Sequence, residues 1–238
     1  MTGIVYIHVP KCGGSSFGAT LRLRHLTSQA TLNLRQSRAE VTARYPTLSG
    51  KDRIEAEYAI RGTELRRLLE TGTRCISAHV RYSPTLHDAF PDYRYVTLLR
   101  DPVSRFVSHY RYLQRTHPDP DRPDTLAGFC ETEDAERIGS QYLFYFGGDD
   151  PSGCTDQCTR IAQAQRNLSR FTLIGDLSDP DVFLHGLKRL IRGPLPRLTR
   201  NRAPSPTRIP EELRGRIEDL CAPDIVIYRA ARTTAAAT

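Results

Sequence analysis

The sequence predicts a single-domain α/β fold: a central, mostly parallel sheet of about four to five strands, helices on both faces, and a P-loop-like phosphate-binding loop after strand one. Three observations predict it. Short β-branched, apolar runs such as Ile4–Val9 and Tyr93–Leu99 alternate with helical patterns, the order that builds a parallel sheet covered on both sides. The first run is followed at once by a glycine-rich turn, Pro10–Ser16, and then by helical spacing. The chain has 238 residues, a length that suits one α/β domain. The domain is expected over residues 1–232, with 233–238 as a frayed tail.

Taken in order, Ile4–Val9 is the first strand, and Phe17–Leu26 carries helical spacing at Phe17, Leu21 and His25. Residues 27–60 are polar and irregular, with a helix near Arg38–Arg44 and a loop facing a second substrate. Arg61–Glu70 is helical and Gly72 stops it. Arg74–Ala78 is the second strand and Tyr93–Leu99 the third. Asp101–Leu113 is a helix with Pro102 in its first turn, where a missing N–H costs nothing. His117–Asp124, rich in proline and aspartate, is a surface loop. Glu136–Phe146 and Thr159–Leu168 are helices around the glycine-rich stretch 147–153. Phe171–Gly175 is the fourth strand and Asp181–Ile191 a helix. Gly193–Pro210 is a proline- and arginine-rich loop, and Pro210–Leu220 and Asp224–Ala231 close the chain as helices.

The formal net charge is +7, so the partners expected are anions. Of 34 basic residues only Lys11, Lys51 and Lys188 are lysines, which singles out the one inside the glycine turn. The six cysteines are scattered. Cys154 and Cys158 could form a disulfide, but no second pair or nearby histidines complete a zinc set, and free thiols suit a reducing compartment. No stretch approaches the roughly 18 apolar residues of a membrane span. Met1–Pro10 lacks the basic and apolar regions of a signal peptide, so a soluble, cytoplasmic protein is expected.

Two segments carry chemistry. In Pro10-Lys11-Cys12-Gly13-Gly14-Ser15-Ser16-Phe17, glycines let the backbone approach a ligand, and the following helix offers free N–H groups and a positive dipole end to a phosphate. A Walker A loop has its lysine after the glycines, whereas Lys11 precedes them, which weighs against an ATPase or kinase. In Leu98–Tyr110, Arg100 ends a strand, and open parallel sheets bind ligands outside the carboxyl ends of their strands. Its guanidinium fork suits phosphate, and Ser108 lies two turns along the next helix.

These segments resemble the 5′-phosphosulfate loop and the 3′-phosphate motif of sulfotransferases that use 3′-phosphoadenosine 5′-phosphosulfate (PAPS). Within that family they are most similar to the carbohydrate group that includes heparan sulfate 2-O-sulfotransferase, and to its bacterial relatives. Ala78–Tyr82, Phe171–Asp176 and Asp224–Tyr228 resemble the family more weakly. The resemblance implies that Lys11, Cys12, Gly13, Gly14, Ser15, Ser16 and Phe17 bind the 5′-phosphosulfate, with Lys11 also meeting the departing oxygen. It implies that Arg100 and Ser108 hold the 3′-phosphate and that Arg202 lies in a late basic loop near the nucleotide. It further implies an enzyme that moves a sulfuryl group from PAPS to a carbohydrate hydroxyl and releases 3′,5′-adenosine bisphosphate; no metal is expected, and the source expected is bacterial. Cys12 departs from the threonine common in the family, and Ser77 from a histidine of the heparan enzyme.

Moving a sulfuryl group to a hydroxyl requires a base near neutrality, and histidine suits this with an ordinary pKa of about 6.5. His79 follows the second strand at the sheet edge shared by Lys11 and Arg100, and the family's catalytic histidine stands in a similar His-Val pair. His109 is the reserve candidate, and His8 is expected to be a packed strand residue. Two other readings compete. A P-loop phosphotransferase would need a Walker A loop. A noncatalytic anion- or nucleic-acid-binding module would need a clustered basic face with aromatic platforms, whereas the arginines are spread along the chain.

Overall fold

The computed structural model describes residues 3–117, 119–148, 155–195 and 209–236. In chain order the elements are β1 (Gly3–Ile7), α1 (Gly14–Arg24), β2 (Gln29–Thr31), α2 (Leu34–Arg44), α3 (Gly50–Glu70), β3 (Cys75–Ala78), α4 (Pro84–Ala89), β4 (Tyr93–Leu99), α5 (Pro102–Thr116), α6 (Leu126–Phe129), α7 (Glu133–Gly139), α8 (Gln141–Phe146), α9 (Gln157–Leu168), β5 (Leu173–Asp176), α10 (Pro180–Ile191), α11 (Glu211–Leu220) and α12 (Ala222–Ala236). The five strands form one sheet in the order β2-β3-β1-β4-β5, and every pairing is parallel.

The two-residue side-chain period sorts each strand's residues onto two faces. Ile4 and Tyr6 of β1, with Val96 and Leu98 of β4, pack against Leu21 of α1 and Phe183, Leu184 and Leu187 of α10. Val5, Ile7, Ile76 and Tyr95 point the other way, onto α3, α8, α9 and α12. Val5, Tyr6 and Ile7 are all fully buried, Val5 and Ile7 each contributing about 1.5–3 kcal/mol. A third cluster joins α5, α6, α7 and α11 beyond the sheet edge. No helix among the described residues is long and apolar enough to cross a membrane.

The chain leaves β1 for β2 and β3 on one side and then crosses to β4 and β5 on the other. The crevice at such a reversal is where open α/β sheets bind ligands. Ile7 pairs with Ala78 and with Thr97, so His8, His79 and Arg100 emerge together at the carboxyl edge.

Several elements differ from those the sequence predicts. Residues 27–60 form β2, then α2, which contains the helix expected near Arg38–Arg44, and then the first half of α3 in place of a loop, with Ser49 as its N-cap. The helix expected over Glu136–Phe146 is two helices that meet at Ser140. The last helix runs through Ala236, past Thr233 where the tail was expected to begin. Cys154 and most of the 193–210 loop, Arg202 included, lie outside the described residues.

Candidate functional site

The loop after β1 is shaped by backbone before side chains. Lys11 (φ 66°) and Gly13 (φ 74°) both sit in the left-handed region, and this reverses the chain tightly enough for α1 to start at Gly14. Gly13 caps α1 with no side-chain hydrogen bond, and the first turn holds no acidic residue. No capping or acidic side chain therefore competes with a ligand for the positive helix end. α5 is capped conventionally: Asp101 accepts from the Ser104 N–H at 2.8 Å, with Pro102 in the first turn. This fixes Arg100 at the junction of β4 and α5.

A cleft of about 1190 Å³ opens on this edge. Lys11, Gly13, Gly14, Ser15, Ser16, Phe17, His79, Arg100, Ser108 and His109 all line it, so nearly every predicted site residue in the described segments converges there. Cys12 is the exception. Its side chain is fully buried beneath the loop, with Sγ 3.5 Å from the Tyr142 hydroxyl. Burial pushes its pKa up to about 11, so the thiol stays protonated, and only the Cys12 backbone remains for a ligand.

The cleft is electropositive: six lysine and arginine side chains line it against Glu57, Asp134 and Asp181. The Lys11 ammonium lies 4.1 Å from the centroid of the Tyr112 ring. Burial lowers its pKa, helped by the nearby Arg115 and Arg100 charges. Burial likewise lowers the pKa of Arg100, whose side chain donates to the Lys11 carbonyl at 3.3 Å. These cations are crowded and partly desolvated, which an incoming polyanion would relieve.

Burial lowers the His79 pKa to about 4, the Arg61 charge adds to this, and a bond to the His8 backbone opposes it. The sequence places this group near 6.5; packing at the sheet edge moves it further down, so the imidazole is neutral at pH 7. His79 Nδ1 is buried with no hydrogen-bond partner in the protein. His109 is similar, with a pKa pushed to about 3 by burial and by the Arg105, Arg137, Lys11 and His79 charges.

His8 is the residue that sequence reasoning misplaces. β1 ends at Ile7, two residues earlier than the apolar run suggests, so His8 lines the cleft instead of packing inside the strand. Its ring stacks on His79 with centroids 4.1 Å apart and planes at 28°, and its other edge abuts Gly14. Burial and the His79, Arg22 and Lys11 charges keep it neutral. His8 is thus wedged between the base candidate and the anion loop. A Cβ at Gly14 would enter the His8 ring. Gly14→Ala is therefore expected to destabilise by about 1–3 kcal/mol through overpacking and to break the imidazole stack. Thermal unfolding and the ring-current shifts of the two imidazoles check this; an unchanged stack would refute the wedge.

The opposite wall comes from the segment 27–60, where the sequence suggests a helix near Arg38–Arg44 and a loop facing a second substrate. Leu34 and Arg38 of α2 and Ile54, Glu57, Tyr58 and Arg61 of α3 face the cleft, with Phe144 of α8. Glu57 meets Arg61 at 2.9 Å, Arg38 at 3.6 Å and Arg53 at 3.7 Å. Arg61 also donates to Ser37 Oγ at 3.1 Å and lies 4.3 Å from the Tyr58 ring centroid.

A model of the Sulfotransferase family matches residues 2–126, just over half of the chain and all of the anion loop, His79 and Arg100. The chain belongs to the sulfotransferase family. It is 30% identical over 200 residues to human heparan-sulfate 6-O-sulfotransferase 2, an alignment covering 72% of this chain and 29% of that protein. With the chicken heparan-sulfate 6-O-sulfotransferase 2 it shares 30% identity over 190 residues, 74% of this chain and 42% of the relative. The chain thus spans well under half the length of these curated relatives. They are 6-O enzymes of the carbohydrate group, where the motifs pointed to the 2-O enzyme. The fold matches a solved sulfotransferase from Alicyclobacillus acidocaldarius with a TM-score of 0.51 and 17% identity, over 97% of this chain and 95% of that one.

Proposed function

We propose that this sulfotransferase-family chain moves a sulfuryl group from PAPS to a hydroxyl of an acidic carbohydrate. The observation that carries the reading is the meeting, at one sheet edge, of an uncapped helix N-terminus, two partly desolvated cations and a neutral buried imidazole. A doubly phosphorylated donor and a hydroxyl nucleophile need this combination, and a simple anion-binding module does not need the imidazole.

Residues Gly13–Phe17 would cradle the 5′-phosphosulfate, and Arg100 with Ser108 would hold the 3′-phosphate. His79 would take the acceptor proton as the acceptor oxygen bonds to sulfur. Lys11 would meet the charge that appears on the bridging oxygen as the sulfur–oxygen bond breaks, leaving 3′,5′-adenosine bisphosphate. This is in-line transfer, with positioning and charge stabilisation as the protein's contribution. The α2–α3 wall would face the acceptor. Three arginines around Glu57 leave a positive surplus there, which favours a carboxylated or sulfated sugar, and Tyr58 and Phe144 offer flat surfaces to its ring.

Calorimetry with 3′,5′-adenosine bisphosphate and AMP tests the donor half. The bisphosphate is expected to bind much more tightly. Arg100→Ala should reduce that affinity about 10–100-fold, the effect of one charge-assisted contact, while changing AMP binding little. Equal affinities in the wild type would remove the donor assignment. A screen of sugar acceptors with labelled PAPS tests the other half and supplies the acceptor for turnover measurements.

A further inference from the structure

The family match ends at residue 126, yet two residues beyond it reach under the cleft. Tyr142, near the start of α8, is fully buried. Its hydroxyl accepts the Arg100 backbone N–H at 2.8 Å and donates to the Arg100 carbonyl at 2.5 Å. Cys12 Sγ lies 3.5 Å away on the same oxygen. A phenol has one proton to give and two lone pairs to fill. Here the proton goes to the Arg100 carbonyl and one lone pair to the Arg100 N–H, and the third neighbour is the anion loop's Cys12 thiol, whose own proton also has the Pro10 carbonyl within 3.7 Å.

Tyr142 is itself held from the far end of the chain. Asp224 of α12 is fully buried, and its carboxylate accepts the Tyr142 N–H at 2.8 Å and the Leu143 N–H at 3.0 Å. Arg105 of α5, equally buried, meets the same carboxylate at 3.1 Å and donates to the Ile138 and Gly139 carbonyls at 2.7 and 3.2 Å. The guanidinium lies 5.2 Å from the Tyr142 ring centroid. The end of α7 and the start of α8 are thus splinted by one ion pair, and the splint delivers the Tyr142 hydroxyl to Arg100.

We propose that Tyr142 is a positioning residue of the donor site: clamped by Asp224 and Arg105, it sets the backbone of Arg100 against that of Cys12 and so fixes the spacing between the 3′-phosphate and 5′-phosphosulfate halves of the site. The inference rests on the donor reading above. Tyr142 lines no part of the cleft, so it acts only through the two backbones it joins. Removing its hydroxyl leaves the guanidinium of Arg100 in place but frees the strand end that aims it. A ligand engaging both halves should suffer, and a ligand engaging only the loop should not.

The test is calorimetry of wild type and Tyr142→Phe with 3′,5′-adenosine bisphosphate and with AMP. The variant is expected to bind the bisphosphate about tenfold more weakly and AMP within about twofold of wild type. A variant that keeps the wild-type ratio of the two affinities overturns the inference, including one in which both fall together with the melting temperature. A wild type with no preference for the bisphosphate overturns the donor reading instead. Hydrogen exchange on the wild type gives a measurement independent of how the variant folds. The bisphosphate should slow amide exchange both at Arg100 and across 141–143, and AMP should not. Protection confined to Arg100 would show that the two segments are not coupled.

Discussion

Replacing His79 by alanine is expected to lower turnover about 10²–10⁴-fold, the usual contribution of a positioned base, while the protein still folds and binds 3′,5′-adenosine bisphosphate. Lys11, Arg100 and Ser108 are untouched by the change, and what the imidazole gives the fold is the stack on His8 and one bond to the His8 backbone, since Nδ1 has no partner. The pH dependence carries the sharper test. Only neutral imidazole accepts a proton, so the rate must rise with pH through the His79 pKa. That value lies near 4 in the free protein, so the limb in kcat/KM should fall near pH 4 and not near the ordinary 6.5. In the proposed complex the bound donor would bring negative charge beside the ring, which favours imidazolium and raises the pKa. The limb in kcat should therefore lie at higher pH than the limb in kcat/KM. The donor's own 3′-phosphate titrates near pH 6, as phosphate monoesters do. His79→Ala should keep that substrate limb and lose the lower one. A variant with near-normal turnover would end the assignment, and a comparable collapse in His109→Ala alone would transfer the role there. Parallel loss of melting temperature and nucleotide affinity in His79→Ala would instead mark a packing residue.

The parts of the site that could be read from the sequence are those whose geometry is local. Glycine, lysine and serine in one turn, the strand ending at Arg100, and a proline-started helix are short-range signals, and each lies where the spacing puts it. Distant groups wrote the remainder. The break between α7 and α8 is imposed by Asp224, some eighty residues on, which satisfies the first N–H groups of α8. Nothing near Ser140 announces it. The first half of α3 was hidden because Glu57 and Arg61 occupy its inward stripe. A buried ion pair stands where the helical pattern calls for apolar residues. β2 is three residues at a sheet edge with no apolar run. His8 was obscured by a single boundary, since Val9 extends the apolar run beyond the last paired residue.

Lys11→Ala should act on kcat far more than on binding. The residue already pays the backbone cost of a left-handed φ, and alanine carries the same Cβ, so the loop should keep its shape. The ammonium contributes about 0.5–1 kcal/mol through the Tyr112 ring, and its loss should lower stability by no more than that. The carbonyl that Arg100 grips belongs to the backbone and survives. Catalysis is different. In the proposed transfer the cation would meet the charge that grows on the bridging oxygen, and an interaction that strengthens on the way to the transition state acts on kcat. Removing one such group typically costs about 10²–10³ in rate. Affinity for 3′,5′-adenosine bisphosphate should fall less, because Arg100, Ser108 and the α1 N-terminus all remain. Lys11→Arg restores the charge with a broader, planar head group, so it should recover product affinity more fully than turnover. The decisive comparison is kcat against the dissociation constant of the bisphosphate for the three proteins. A Lys11→Ala enzyme with wild-type kcat and only a raised KM would place Lys11 in ground-state binding and remove it from the transfer step.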